Sequence, residues 1–532
     1  MFDSISMEKL YHWQRRCLFL AVLFFPLQSL LFYSKSFFSL FSFYGQISSV
    51  PILIGFTFAI VTCFRERKEG LFFVPFLLFS CFYLLLLAGI SVHSIAEYCF
   101  SDRFNVAAFG ETQKIHLVKS ILLQLGFSNE DVLYAILVFL RDMVPCVKEV
   151  IFAFGFSVWV AFLYRKGREE VFLIFRNAIL LDVALLIPYV ALEILHLFGY
   201  SEITEILRGV NSCLYESSGY PGWYPPMVSP NQIRGSWTEP AFFAMWLSFS
   251  IPFLISYFFD GVCGKGWIKA GFFFTFLWGI WLMTYARTSI VLIAMVCFLY
   301  FFFAVLSNRK EDWKRLGILF SSLALAFCFI STLGPQEVME KAKRAATDVH
   351  LSSESKLFQN TIRSVTDAES RSNPVRLQNL QFQLEVFKDH PFVGSGDTLS
   401  TTALLRKMKQ SKESLAPEVQ LQLNFTEANG IFMSILNSHQ LSVPGCLARR
   451  GLFGFTVMFV PILLLGGVLF WKILKTGSVL RERMICVFIA CTGTFLTSLT
   501  FSSLSFLFFW GSVGIALGMV LPIRGDGGQV QC

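Results

Sequence analysis

The sequence predicts an all-α protein, a polytopic transmembrane helical bundle of about twelve spans with one large helical loop. Three observations indicate this class. Apolar runs of membrane-spanning length alternate with short polar breaks, every second break is rich in Lys and Arg, and 62 of the 532 residues are Phe. The mean hydropathy of +0.60 is also far from that of a soluble globular chain. Lipid is therefore expected to be the main solvent of this chain.

A hydrocarbon core of about 30 Å requires roughly 20 apolar residues per helical span. The runs are continuous rather than alternating, so they predict helices and not barrel strands. They occupy residues 17–33, 46–64, 71–93, 148–164, 171–197, 240–259, 271–286, 288–306, 316–333, 447–471, 484–500 and 503–522.

These runs divide the chain into three parts. Residues 1–333 are predicted to form a transmembrane bundle of spans 1 to 9, with outer loops at 94–147 and 198–240. Residues 334–446 are predicted to form a large periplasmic loop with amphipathic helices. Residues 447–532 are predicted to hold spans 10 to 12 and a short cytoplasmic tail.

The basic breaks orient the bundle. They lie at residues 9–16, 65–68, 165–168, 265–269, 309–315 and 472–483, and the intervening breaks carry few Lys or Arg. The positive-inside rule then predicts that both termini are cytoplasmic. Because these flanks account for the net charge of +8, that charge gives no reason to expect nucleic acid as a partner.

Cysteine and histidine spacing give no sign of a metal site. The 13 Cys are scattered without a C-x-x-C pair, and no His spacing suits zinc. We therefore expect no metal and no cofactor. Cys213 and Cys446 both fall on the outer side, where a disulfide between them is an open alternative.

The two long outer segments break the apolar pattern. Within 334–446, Asn373 and Pro374 suit a helix start, and apolar residues then recur at helical spacing as far as His390. The other segment, 198–240, is rich in Tyr, Trp, Pro and Gly. Its aromatic residues, Tyr224 and Trp237 among them, could line the membrane interface or stack against sugar rings.

The order of motifs in these segments resembles the O-antigen polymerase and ligase superfamily of bacterial envelopes. The motifs are RGSWTEP (234–240), YARTS (285–289), VRLQNLQFQLEVFKDHPFVGSG (375–396), ANGIFMSIL (428–436) and RGLFGF (450–455). The resemblance covers roughly residues 230–460. Each motif is weak alone, and their order and shared side of the membrane carry the resemblance.

The resemblance implies a metal-independent membrane glycosyltransferase in the bacterial inner membrane, acting on its periplasmic face. Its partners would be the bilayer, a glycan on undecaprenyl diphosphate and a chain-length-regulating membrane protein. The planar guanidinium of arginine can donate two hydrogen bonds to phosphate oxygens. Arg234 and Arg287 are therefore predicted catalytic residues, and Arg376 is a predicted substrate ligand. Glu239 and His439 are the predicted bases. Asn429, Trp237 and Tyr224 are the remaining predicted substrate contacts.

Structural explanations stand beside these roles. Arg287 could snorkel at a helix end, Arg234 could form an ordinary ion pair, and Arg376 could lie on a solvent face. Glu239 also suits a helix start. Charged residues within 171–197, namely Arg176, Asp182 and Glu193, are expected to pair inside the bundle.

The favoured activity is polymerisation of lipid-diphosphate-linked oligosaccharide repeat units. Ligases of the superfamily usually place His before the Asn of the closing segment, where this chain has Ala428. Ligation of the glycan to lipid A-core stays an alternative, since His439 could reach the same place. A lipid-linked oligosaccharide flippase is the alternative from another class, although the sequence shows no internal repeat.

Overall fold

The computed structural model describes residues 6–28, 30, 43–100, 108–110, 113–215, 232–259, 266–307, 309–333, 372–411, 414–434, 442–499, 502–521, 523–524 and 530–531. Within these residues the regular structure is almost entirely helical, which confirms the predicted fold class. The sheet structure described there is one short antiparallel pair, β1 (Ile523–Arg524) and β2 (Val530–Gln531).

The first helices in chain order are α1 (Met7–Leu23), α2 (Ser49–Arg65), α3 (Arg67–Phe100), α4 (Gln113–Gln124), α5 (Glu130–Lys148), α6 (Phe156–Lys166), α7 (Arg168–Leu197), α8 (Ser201–Leu214) and α9 (Pro240–Phe259). The others are α10 (Gly266–Met283), α11 (Arg287–Ser307), α12 (Lys310–Leu333), α13 (Ser372–Asp389), α14 (Leu399–Gln410), α15 (Pro417–Asn429), α16 (Val443–Lys475), α17 (Ser478–Thr497) and α18 (Leu507–Val520). Short 3₁₀ turns lie at Ile431–Met433 and Ser503–Ser505.

Eight helices among the described residues are long and apolar enough to cross a membrane. They correspond to α3, the continuous helix from Glu130 to Lys166, α7, α9, α10, α11, α12 and α16. The other four predicted spans overlap the helices α1, α2, α17 and α18, of which α2 and α18 are apolar but shorter. The chain is therefore a multi-pass membrane protein.

The first predicted span, 17–33, differs from the helix observed. Helix α1 begins at Met7, where the Ser6 side chain accepts the Lys9 N–H, and it ends at Leu23. Pro26 follows within three residues, and proline cannot donate to continue the helical hydrogen-bond ladder.

A π-helical turn joins α5 to α6. Residues Glu149–Gly155 form this turn, so one helix runs without interruption from Glu130 to Lys166. The sequence predicts an outer loop over 94–147 and a span that begins at 148. Helical geometry instead persists through the junction, with one widened turn of a kind often found at functional sites.

Aromatic residues and glycines hold the bundle together. Phe25 is fully buried, and its ring lies 6.0–6.5 Å from the rings of Phe156, Phe175, Phe249 and Phe508. Helix α18 packs closely on α6. Gly514 allows this approach, since a Cβ there would lie 2.7 Å from the Ser157 carbonyl oxygen. Small residues allow such close approach of membrane helices.

The cap, which we define as residues 372–434, packs on one end of the bundle. Phe382 and Val386 are one helical turn apart on α13, and they pack with Leu404 of α14 and Leu423 of α15. The same cluster includes Ala448 at the start of α16. The predicted amphipathic helix therefore uses its apolar face to join the cap to a membrane helix.

Candidate functional site

Two of the sequence motifs meet at the cap end of the bundle. The Ile233 N–H donates to the Met283 carbonyl at 3.1 Å, and the Gln232 side-chain amide donates to the Tyr285 carbonyl at 3.4 Å. The RGSWTEP and YARTS segments are therefore neighbours in space. We call residues 232–239 and 283–289 together the arginine junction.

Arg234 is enclosed within the junction, with only 1 % of its surface exposed. Its guanidinium lies 5.5 Å from the centroid of the Tyr215 ring and interacts with the Tyr189 hydroxyl. Glu193 of α7 accepts the backbone N–H groups of Arg234 at 3.3 Å and Gly235 at 2.9 Å. Burial raises the pKa of the Tyr215 phenol, so a neutral ring lies beneath the cation at neutral pH.

Arg287 is the first residue of α11 and is partly exposed. The turn before it is held by a 2.5 Å contact between the hydroxyls of Thr284 and Ser289. Tyr285 has a φ of 45°, a left-handed conformation that costs a bulky residue on the order of 1–3 kcal/mol. The first turn of α11 contains no acid. The helix N-terminus and Arg287 thus present positive charge together, as suits an anion.

Glu239 and Trp237 have structural surroundings. The Glu239 carbonyl accepts the N–H groups of Phe242 and Phe243, so this residue lies just before α9 and caps its start. Trp237 is fully buried, and its ring meets those of Phe506 and Phe508 edge-on at 5.4 and 5.9 Å. Burial leaves Trp237 no exposed face for a sugar in this conformation, and both predicted roles stay predictions.

A second pair of motifs meets where the cap joins α16. The turn after α13, residues 390–397, lies against the first residues of α16. The Leu452 N–H donates to the Pro391 carbonyl at 2.8 Å, and the Ser395 N–H donates to the Ala448 carbonyl at 3.1 Å. HPFVGSG and RGLFGF are therefore one structural unit.

Glycine is required on both sides of this contact. Gly451 has φ 60° and ψ −166°, which interrupts the helical geometry of α16. A Cβ there would lie 2.3 Å from the Phe392 carbonyl oxygen, and a Cβ at Gly394 would lie 2.4 Å from the Arg449 carbonyl oxygen. Both the positive φ values and the close backbone approach exclude other residues.

A buried ionic cluster lies directly beneath this contact. Arg450 donates from Nη1 and Nη2 to the two Glu149 oxygens at 2.9 and 3.0 Å. It also donates from Nε and Nη2 to Asp397 at 3.2 and 2.9 Å. The Tyr83 hydroxyl accepts from Arg450 at 2.7 Å and donates to Glu149 at 2.6 Å. All four residues are at most 6 % exposed. This cluster joins the π-helical turn, the cap turn and α16.

Two more charges extend the cluster. Arg449 lies 3.5 Å from Asp397, and Asp142 accepts the Thr398 N–H at 2.7 Å and the Ser91 hydroxyl at 2.7 Å. Arg450 begins the motif RGLFGF and Arg449 directly precedes it, but the sequence predicts no role for either residue. The sequence signal that could have identified these residues is the pair of adjacent arginines at the start of the predicted span 447–471. Asp142 and Glu149 carry no motif, so their partnership depends on the fold.

The cap residues Arg376 and Asn429 are both exposed. Arg376 lies near the start of α13. Asn429 ends α15, where its side-chain amide donates to the Phe425 carbonyl at 2.9 Å. Gly430 follows with φ 86°, as is common after a helix end. Neither observation tests the predicted substrate contacts.

The other predicted residues have the following positions. Tyr224 and His439 lie outside the described residues. In α7, the Arg176 guanidinium lies 5.4 Å from the Tyr257 ring centroid, and Asp182 is buried. Cys213 is an exposed free thiol and Cys446 a buried one. No group of three or more His, Cys, Asp or Glu that could hold a metal ion occurs in the described part of the chain.

Comparison with known proteins gives one family match. Residues 272–459 match the family model described as O-antigen ligase, a range that contains the YARTS turn, the cap and RGLFGF. No curated protein and no solved structure shows a significant match. The family supports glycosyltransferase-like activity of the O-antigen ligase or polymerase type. The match confirms that this multi-pass membrane protein resembles the O-antigen polymerase and ligase superfamily. The matching segment of this chain is residues 272–459.

Proposed function

We propose that the protein is a metal-independent glycosyltransferase that polymerises oligosaccharide repeat units carried on undecaprenyl diphosphate. The reaction would take place at the periplasmic face of the inner membrane, with both termini cytoplasmic. The observation that carries the proposal is the arginine junction, which brings the segments of Arg234 and Arg287 together at one end of a bundle of apolar helices.

The charges at the junction support a diphosphate ligand. A donor of this kind keeps its lipid in the bilayer and its two phosphates at the interface. Arg287 is partly exposed at the start of α11, so it is the arginine that first meets the diphosphate. Arg234 lies behind Tyr215 and adds positive charge from a buried position. Arg376, exposed on the cap, is the third proposed diphosphate ligand.

The proposed reaction is a displacement at the anomeric carbon of the donor glycan. An acceptor sugar hydroxyl attacks this carbon, the bond to the phosphate oxygen breaks, and the diphosphate leaves with the bonding electrons. The arginines offset the charge that develops on the leaving group. Glu239 is the proposed base that receives the acceptor proton. It caps the start of α9 within the junction.

Ligation is the second candidate, and one observation favours it: the matching family is described as O-antigen ligase. Ala428 before Asn429 supports polymerisation, because ligases of the superfamily usually carry His at that place. The two reactions share a donor and differ in the acceptor. In polymerisation the acceptor is a second lipid-linked glycan, whereas in ligation it is lipid A-core.

Reconstitution distinguishes the two. Purified protein in liposomes is incubated with a synthetic undecaprenyl diphosphate repeat unit, and the products are resolved by chain length. We expect a ladder of longer lipid-linked glycans. Transfer only after lipid A-core is added would establish ligation. An absence of both products with the native repeat unit would refute the proposed glycosyl transfer.

A further inference from the structure

The turn that carries Arg234 is held at three consecutive residues. Glu193 of α7 accepts the backbone N–H groups of Arg234 at 3.3 Å and Gly235 at 2.9 Å. The carbonyl of the next residue, Ser236, accepts the Tyr215 hydroxyl at 3.0 Å. Apart from the glycine, all of these residues are at most 6 % exposed. The backbone of the turn is therefore fixed by α7 and by the residue that follows α8.

The Arg234 side chain is held by a contact of a different kind. Arginine has several rotatable bonds, and hydrogen bonds to its backbone leave those bonds free. The Tyr215 ring centroid lies 5.5 Å from the Arg234 guanidinium, within the range of a cation–π interaction, which is stronger where water is excluded. The same tyrosine thus holds the turn with its hydroxyl and the guanidinium with its ring.

The position of Tyr215 is set by the docking of α8 on α7. Tyr215 directly follows α8, and its N–H donates to the Asn211 carbonyl at 2.9 Å. The Asn211 side chain, in a residue that is 1 % exposed, accepts the hydroxyl of Tyr189 of α7 at 2.7 Å. Tyr215 also packs with Leu30. The ring is therefore in place without a bound substrate.

We propose that Tyr215 is a positioning residue that holds the Arg234 guanidinium in place for the departing diphosphate. The inference rests on the proposed function for the role of Arg234. Stabilisation of the leaving group depends on the distance between its charge and the guanidinium. A cation that is fixed before the reaction needs no reorganisation during it. A neutral ring can hold the cation without cancelling its charge.

Two substitutions separate the ring from the hydroxyl. Tyr215→Phe keeps the ring and loses the hydrogen bond to Ser236, so it should retain most of the kcat. Tyr215→Leu keeps an apolar side chain and loses the π face. We expect it to lower kcat about tenfold with KM unchanged, as for loss of a desolvated cation–π contact that acts in the transition state. The control is Tyr164→Leu, at a buried tyrosine of α6, which should lower the melting temperature but not kcat.

Two further measurements test whether Tyr215 acts through Arg234. In a double-mutant cycle, Tyr215→Leu should lower kcat no further once Arg234→Ala has removed the residue that it positions. The second measurement needs no glycan transfer. The full chain in nanodiscs is treated with phenylglyoxal, which modifies accessible guanidinium groups, and the peptide that contains Arg234 is followed by mass spectrometry. We expect protection in the native sequence and in Tyr215→Phe, and loss of protection in Tyr215→Leu.

Three results would each overturn the inference. They are equal kcat values for Tyr215→Leu and Tyr164→Leu, additive losses in the cycle, and an Arg234 that stays protected in Tyr215→Leu. Tyr215→Met replaces the leucine variant in all three measurements if that variant fails to fold. Loss of protection in a protein whose native sequence transfers no glycan would refute the proposed function alone. Glycan transfer at an unchanged kcat in Tyr215→Leu would refute the positioning role alone.

Discussion

The Arg450 guanidinium donates two parallel hydrogen bonds, of 2.9 and 3.0 Å, to the Glu149 carboxylate. Arg450 is 1 % exposed and so is Glu149. One residue belongs to α16 beside the cap, and the other begins the π-helical turn of a different membrane helix. The pair therefore fixes the position of the cap turn relative to the bundle through Asp397, which Arg450 also contacts.

Replacing Arg450 should destabilise the protein strongly. In Arg450→Ala, Glu149 loses the arginine that neutralises it, and Asp397 keeps only Arg449, at 3.5 Å. Loss of one partner of a buried ion pair costs about 3–5 kcal/mol. The melting temperature in detergent should fall well below that of Arg376→Ala, which removes an exposed arginine. Arg450→Lys should be intermediate, because an ammonium lacks the planar fork. Equal melting temperatures for the two alanine variants would contradict this account.

Arg287 should be required for catalysis more than for folding. Arg287→Ala should lower kcat about 10²- to 10³-fold, as loss of a charge-stabilising donor does. Its melting temperature should remain close to that of the unmodified protein, because Arg287 is partly exposed. Arg208→Ala is the control, since Arg208 is exposed on α8 and pairs with Glu205 one turn away. Full activity of Arg287→Ala in the reconstituted ladder assay would remove Arg287 from the site.

The kink of α16 should tolerate no side chain. Gly451→Ala forces a Cβ to within 2.3 Å of a carbonyl oxygen at a φ of 60°, so the turn at 390–397 should detach or shift. We expect a lower melting temperature and faster proteolysis between α13 and α14. Gly467→Ala on the same helix has open space around its Cβ and should be neutral or slightly stabilising. A Gly451→Ala variant as resistant to protease as Gly467→Ala would disprove the docking.

Substitutions of Trp237 test whether its ring packs in the core or contacts a sugar. Trp237→Phe keeps an aromatic ring against Phe506 and Phe508, so it should retain activity and most of the stability. Trp237→Ala leaves a cavity in the core and should cost about 3–5 kcal/mol. Thermal melts and the ladder assay on both variants test this. Loss of activity in Trp237→Phe at an unchanged melting temperature would restore the sugar contact as the better explanation.

Sequence reasoning succeeds here where one local signal is sufficient. Long apolar runs predict helices because lipid leaves the backbone no other partner, and ordered motifs predict the family. The first helix shows a limit, since hydropathy places it at 17–33 whereas capping by Ser6 and the nearby Pro26 fix it at Met7–Leu23. Composition says little about where a helix begins.

Contacts between residues that are far apart in the chain could not be predicted from the sequence. The motif RGLFGF begins with Arg450, but nothing local assigns Glu149, 301 positions away, as the partner of Arg450. Trp237 shows the converse. Its neighbours in sequence are typical of an interfacial aromatic loop, yet tertiary packing buries it completely. The predicted roles of Arg234, Arg287 and Glu239 depend on a bound substrate, which neither sequence nor packing contains.

The docking of the cap turn on α16 also changes how the chain can be recombined. Two backbone donors of α16, on Leu452 and Phe453, find their acceptors on Pro391 and Phe392 rather than in their own helix. A chimera that exchanges a loop at the predicted boundary of 446 would separate these donors from their native acceptors. The segment that can be grafted as a unit therefore extends from the cap through Gly454, and its natural junction lies inside the membrane helix.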